Sequence, residues 1–131
     1  MVNGNGNARR YLNLPGHSAS FPFSDAVLAG DTLYISGRIG LDPVTGRPPA
    51  GVEVEVRILL DEFEAVLKQA GMDMDDLVSV HIFSPDVSLW EPFNAAYVKR
   101  FAQEFPARAF LGSGPLLFGA RFEMVGIAVK R

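Results

Sequence analysis

The apolar positions of this chain change period several times, and each change marks an element. DAVLAGDTLYISGRIG, residues 25–40, holds two β-rich runs joined by Ala29-Gly30-Asp31, and predicts a hairpin. ARRYLNL, residues 8–14, is compatible with a short strand before it, and PGHSASFPFS and LDPVTGRPPAG read as loops. VEVEVRILLDEFEAVLKQAG opens with strict alternation, but Val56, Leu59, Leu60, Phe63, Val66, Leu67 and Ala70 recur at 3-1-3-3-1-3, one face of a helix. Glu53, Glu55, Glu62, Glu64 and Lys68 fall off that stripe and are expected in solvent, and Gly71 is placed to end the helix.

DDLVSVHIFSPD alternates again, with Val78, Val80 and Ile82 on one side and Ser79, His81 and Phe83 on the other, a strand with two unlike faces. His81 has no Ser or Asp at telling spacing and reads as a packed or interface histidine. SLWEPFNAAYVKRFAQEF predicts a second helix: Ser88 and Glu91 match a capping box, Pro92 sits in the first turn, and Trp90, Phe93, Tyr97 and Phe101 form an aromatic core stripe. Pro106 stops it, and two strands follow around the loop GSGPLLFG.

The order is β-β-α-β-α-β-β with a further strand possible at the start, which predicts an α+β fold: a mixed sheet of four to six strands with two helices on one face. The other face lacks cover. Phe83, Phe110 and Val125 are expected to point outward there as an apolar patch, and such a patch marks association.

A chain of 131 residues suits one domain, assigned to 13–131, with residues 1–12 a flexible start able to lend a first strand. Hydrophobic residues make up 48% and charged residues 21%, enough to bury a core. A net charge of −3 argues against a general grip on nucleic acid. The absence of cysteine excludes disulfides and thiolate chemistry, and two isolated histidines, His17 and His81, argue against a metal centre. No apolar run reaches the roughly 18 residues of a membrane span, and MVNGNGNARR lacks a hydrophobic signal core, so a soluble, cytoplasmic protein is expected.

Two charges interrupt the last apolar strands. Alternation puts Arg108, Phe110 and Gly112 on one side of the first strand, and Arg121, Glu123, Val125, Ile127 and Val129 on one side of the second. If the strands pair as a hairpin, Arg108 and Glu123 lie close together or at opposite walls of a small cleft. Pattern leaves two readings open, a structural ion pair or a site. A guanidinium fork grips a small carboxylate, and a nearby carboxylate orients or deprotonates a water.

FPFSDAVLAGDTLYISGRIGLDPVTG, FNAAYVKRF, PAR and RFEMVGIAV, in this order from about Phe21 to Val129, resemble the RidA/YjgF family, also called L-PSP endoribonuclease-like proteins. The resemblance implies a chorismate-mutase-like (bacillar) fold, a homotrimer with a central barrel-like core, and clefts between subunits. It implies hydrolysis of reactive 2-enamine and 2-imine acids (2-aminoacrylate/2-iminopropanoate, 2-iminobutanoate) to 2-keto acids and ammonia, with no metal or organic cofactor. On the matching positions, Arg108 binds the substrate carboxylate, Glu123 places the attacking water, and Phe23, Ser36, Gly37, Asn94 and Phe110 line the cleft. Phe23 stands where members commonly have tyrosine, Phe110 where well-studied members have cysteine, Arg38 where glutamine is usual, and Val125 in place of a second glutamate. Asn94 lies nearer to PAR than usual, and Arg38 is expected to add charge near the cleft. The alternatives are a non-catalytic trimer that binds small carboxylates and an endoribonuclease or translation inhibitor.

Overall fold

The computed structural model describes residues 8–131. The part of the expected flexible start that falls on residues 1–7 lies outside them. Its later part is ordered: Arg9–Leu12 form strand β1, followed by β2 (Ala26–Ala29), β3 (Thr32–Arg38), α1 (Val52–Gln69), β4 (Leu77–Ser84), α2 (Trp90–Tyr97), β5 (Ala107–Gly112) and β6 (Glu123–Val129). The strands form one mixed sheet in the order β1-β2-β3-β6-β4-β5. Every neighbouring pair is antiparallel except β4 and β5, which run parallel through the α2 crossover. This is the α+β arrangement expected, with both helices on one face. No helix among the described residues is long and apolar enough to cross a membrane.

The predicted stripe of α1 is the centre of the core: Val56, Leu59, Leu60, Phe63, Val66 and Leu67 are buried against Leu33, Val80, Ile82 and Met124 of the sheet. α1 ends as predicted at Gly71, whose φ of 73° lets its N–H reach Lys68 O (2.9 Å) while Met72 N–H reaches Leu67 O (3.0 Å). Gly126 sits beneath Phe63, where an added Cβ would lie 2.9 Å from Cζ of that ring and 3.2 Å from Leu77 Cδ2.

Several details depart from the pattern reading. The β4–β6 register shifts between Leu77 and Ser79, so Val78 is 47% exposed and Leu77 takes the buried place beside Val80. The Ser88/Glu91 capping box does not form. Asp86 instead caps a 3-10 turn at Val87–Leu89, accepting from Ser88 N (3.0 Å) and Ser88 Oγ (2.6 Å). α2 is correspondingly short, and a 3-10 turn at Val98–Arg100 ends it well before Pro106. Phe93 and Tyr97 enter the core, but Trp90 is 49% exposed and Phe101 lies beyond the helix.

Glu55 is the largest departure. It is fully buried and accepts from Arg121 N (2.7 Å) and Arg121 Nε (2.6 Å), while the rest of that guanidinium donates to Ala50 O and Pro49 O. This pair ties the start of α1 to the entry of β6. A surface charge by periodicity is a buried one by partnership.

Candidate functional site

β4 runs between β5 and β6, and that placement fixes where the two suspect charges point. Arg108 is opposite Val80 and Glu123 opposite Phe83. Laterally paired residues share a face, and three steps along a strand reverse it. Arg108 therefore lies on the helix face with buried Val80, and Glu123 on the uncovered face with Phe83, Val125 and Ile127. β5 and β6 do not pair as a hairpin, because β4 lies between them, and the two charges make no pair within the chain. Phe110 shares the face of Arg108, packing edge-on against Phe93 (5.8 Å) and Phe122 (6.5 Å), so it is no part of the outward patch.

Arg108 stands on the edge strand and leans over α2. Its Nη1 donates to Asn94 Oδ1 at 2.7 Å, and its Cζ lies 4.8 Å from the Tyr97 ring centroid and 5.9 Å from that of Phe110. Asn94 and Tyr97, three residues apart on one helix, thus hold one edge and one face of the guanidinium. A guanidinium has five N–H donors, and among the described residues the Asn94 bond is the one well-formed hydrogen bond of the Arg108 side chain. The group borders an opening of about 270 Å³ shaped by Asn94, Tyr97, Val98, Phe105 and Pro106. Tyr97 is 3% exposed, and among the described residues its hydroxyl makes no well-formed hydrogen bond, with the Arg108 guanidinium close beside it. Burial pushes its pKa up to about 12 against the opposing pull of the Arg108 charge.

Glu123 has a different setting. Its carboxylate folds over Gly37, where an added Cβ would overlap Oε2 and lie 2.9 Å from Cδ. No ion pair among the described residues includes it. Ser36 beside it is committed to the backbone, donating from Oγ to Ser24 O (2.6 Å) and from N to Asp25 O (3.0 Å). These bonds pin the loop that carries Phe23, which is half exposed and stacks on Phe21 at 5.3 Å. Ser36, Gly37 and Glu123 therefore form one cluster, and Asn94, Tyr97, Arg108 and Phe110 form another across the sheet.

Arg38 does not add charge to the Glu123 cluster. It pairs with Met124, a core-facing residue, and its guanidinium reaches Asp25 (3.7 Å) and Glu62 (3.4 Å) on the helix face. Buried Asp25 also accepts from Leu14 N (2.8 Å) and bonds His17 Nδ1 (3.1 Å), whose ring meets Phe21 and Phe23 edge-on. Desolvation raises the Glu62 carboxyl above its ordinary range, and Arg38 only partly offsets it. His81 is exposed on the uncovered face, stacked with Phe83. A second opening, about 290 Å³, lies among Pro85, Leu89, Pro115 and Leu116, and the one cation at its rim, Arg121, is already bound to Glu55. No group of three or more His, Asp or Glu side chains among the described residues could hold a metal ion.

Sequence reading missed one member of these clusters and one contact beside them. Tyr97 passed as core aromatic, although its spacing from Asn94 puts both on one helix face. The His17–Asp25 contact had no signal beyond the two residue types.

Residues 16–130 match the family model described as Endoribonuclease L-PSP. The chain is 37% identical over 110 residues to the 2-iminobutanoate/2-iminopropanoate deaminase of Bos taurus, covering 83% of this chain and 80% of that one. A conserved Rid-family protein of unknown function from Yersinia pestis, YyfA, superposes with a TM-score of 0.86 at 32% identity, covering 94% of this chain and 100% of that one. E. coli TdcF, solved with bound serine, superposes with a TM-score of 0.80 at 27% identity, covering 86% and 91%.

Proposed function

The chain belongs to the RidA/YjgF, or endoribonuclease L-PSP, family, and from that premise we propose that it hydrolyses reactive 2-enamine and 2-imine acids to 2-keto acids and ammonia. One observation carries the reading. The donor-rich cation and the free carboxylate lie on opposite faces of one sheet, Arg108 on its edge strand, so a site that uses both must be completed by a neighbouring copy. We propose the homotrimer and chorismate-mutase-like barrel that the family resemblance implies, each cleft taking Arg108 from one chain and Glu123 from the next. The uncovered face bearing Phe83, Val125 and Ile127 supports such an assembly. The bovine relative's activity and the serine held by TdcF, a small 2-amino carboxylate, support the substrate class.

The chemistry asks little of the protein. Arg108 takes the substrate carboxylate on the N–H groups that Asn94 leaves free. Glu123 accepts a proton from water as the water oxygen attacks C2, and the C=N electron pair moves to nitrogen. That nitrogen takes up the proton, and the carbinolamine collapses to the 2-keto acid and ammonia. An enamine first gains a proton at C3 to become the imine. Positioning plus one acid–base contact supplies about 10²–10⁴-fold over the solution reaction.

The test generates 2-iminobutanoate with an amino-acid oxidase and follows its trapping as a semicarbazone. Wild-type protein lowers the trapped fraction, and Arg108→Ala and Glu123→Gln each abolish the effect. Mixing the two inactive chains under conditions of subunit exchange restores about a quarter of the clefts. Unchanged trapping with wild type defeats the deaminase reading, and inactivity of the mixture defeats the shared cleft.

A second reading, a trimer that binds small carboxylates without turnover, is favoured by the apolar Phe21/Phe23 lip, which adds no reactive group to the Glu123 cluster. Tight 2-keto acid binding by a protein that leaves trapping unchanged would select it. The endoribonuclease alternative would be revived by cleavage of single-stranded RNA that disappears in Arg108→Ala.

A further inference from the structure

The Tyr97 hydroxyl is a buried polar group without a well-formed hydrogen bond in the isolated chain. It belongs to a residue 3% exposed, and the Arg108 guanidinium beside it gives it no hydrogen bond of good geometry. A buried hydroxyl in that state is costly, so its survival calls for a partner that arrives from outside. Its place in the fold says which kind. Tyr97 borders the same opening as Arg108, and the guanidinium lies on its ring, 4.8 Å from the centroid. The guanidinium lies close enough to the phenol oxygen to pull its pKa down, so an anion that docks on Arg108 comes near that oxygen. With its pKa pushed up to about 12, the phenol is a neutral O–H at any working pH, able to donate and not to repel an anion.

We propose that Tyr97 is a second ligand-binding residue, its hydroxyl donating to a carboxylate oxygen of the 2-imino or 2-keto acid that Arg108 holds. Asn94, Tyr97 and Arg108 then act as one seat. Asn94 fixes one guanidinium edge, the Tyr97 ring supports its face, and the hydroxyl and the remaining guanidinium N–H groups converge on the anion. This inference rests on the deaminase reading for the identity of the ligand. It assigns Tyr97 to binding and leaves the attack of water to Glu123.

Tyr97→Phe separates the hydroxyl from the ring. The calorimetric Kd for 2-oxobutanoate rises about 10- to 100-fold, the loss of one hydrogen bond to a charged group. KM for 2-iminobutanoate rises in step while kcat stays within about threefold of wild type. The melting temperature of the ligand-free variant does not fall, because the hydroxyl makes no well-formed hydrogen bond in the free chain. A purely structural hydroxyl predicts the reverse, a lower melting temperature with unchanged Kd, and that result overturns the proposal. Unchanged Kd with an unchanged melting temperature overturns it as well. Wild type and Arg108→Ala, run alongside, keep the two readings apart. If wild type fails to bind 2-oxobutanoate or to turn over imine, the parent reading falls and this inference with it. If wild type does both, Arg108→Ala does neither, and Tyr97→Phe binds like wild type, the inference alone falls.

Discussion

Gly37→Ala places one methyl group where the Glu123 carboxylate now lies. The new Cβ would overlap Oε2, with Cδ at 2.9 Å and Cγ at 3.2 Å. Carbon atoms settle at about 3.5–4.0 Å, so the carboxyl end must retreat by about 1 Å. A misplacement of that size at a group that aims water costs on the order of 10²-fold in kcat. Folding is affected far less. Gly37 has no positive φ, so alanine is compatible with its backbone, and the atoms that must move are the free end of a flexible side chain. The gain of about 0.4–1 kcal/mol from a stiffer unfolded chain roughly offsets the rotamer adjustment. The expected outcome is a protein that melts within a few degrees of wild type and hydrolyses 2-iminobutanoate about 100-fold more slowly. Gly126→Ala is the control. There the methyl meets the Phe63 ring and Leu77, both locked in the core, so it costs about 1–3 kcal/mol of stability and leaves kcat of the folded fraction unchanged. A Gly37→Ala protein with normal melting and kcat within threefold of wild type would refute the placement of Glu123 as the water-aiming group.

Two further outcomes follow from charges the sequence made look ordinary. Arg121→Ala strands the buried Glu55 carboxylate, and the expected loss is about 3 kcal/mol, or about 10 °C in melting temperature; a loss below about 1 kcal/mol in urea unfolding would show that Glu55 needs no partner. Glu62→Gln tests the balance between burial and Arg38. The folded chain holds the Glu62 proton more tightly than the unfolded chain does, so this group's contribution is most favourable at acid pH and falls as pH rises from the ordinary glutamate range through the raised value. Relative to wild type, the variant gains stability between pH 4 and pH 7, and a relative loss over that interval in thermal melts would mean that the Arg38 attraction outweighs desolvation.

Local order was legible where it depended on local spacing. The α1 stripe, the Ala29-Gly30-Asp31 hairpin and the Gly71 stop needed only 3.6-residue or two-residue periods and turn chemistry. The sheet order was not legible, because β4 enters between β5 and β6 and pairs with residues that alternation within each strand cannot identify. That insertion separates Arg108 from Glu123 and turns Phe110 to the helix face. Alternation within β5 and β6 was right, and in β4 it failed only at Val78, where the register shifts; which face of the sheet it meant was a property of the neighbour. Glu55 escaped for the same reason, since it adjoins the apolar stripe and its partner lies 66 residues along the chain. The candidate site was legible as residue types, and its division into two clusters on opposite faces came only through register.

The two margins of the sheet are built differently. β1 is four residues long and exposes Arg9 and Arg10, side chains that deter a passing strand. β5 is six residues long, and its single cation is turned aside onto Asn94. An isolated chain therefore carries one guarded border and one, Ala107–Gly112, without an outward cation to guard it. A lysine set into that strand would guard it as Arg9 and Arg10 guard β1, leaving both margins of the sheet closed to edge-to-edge pairing.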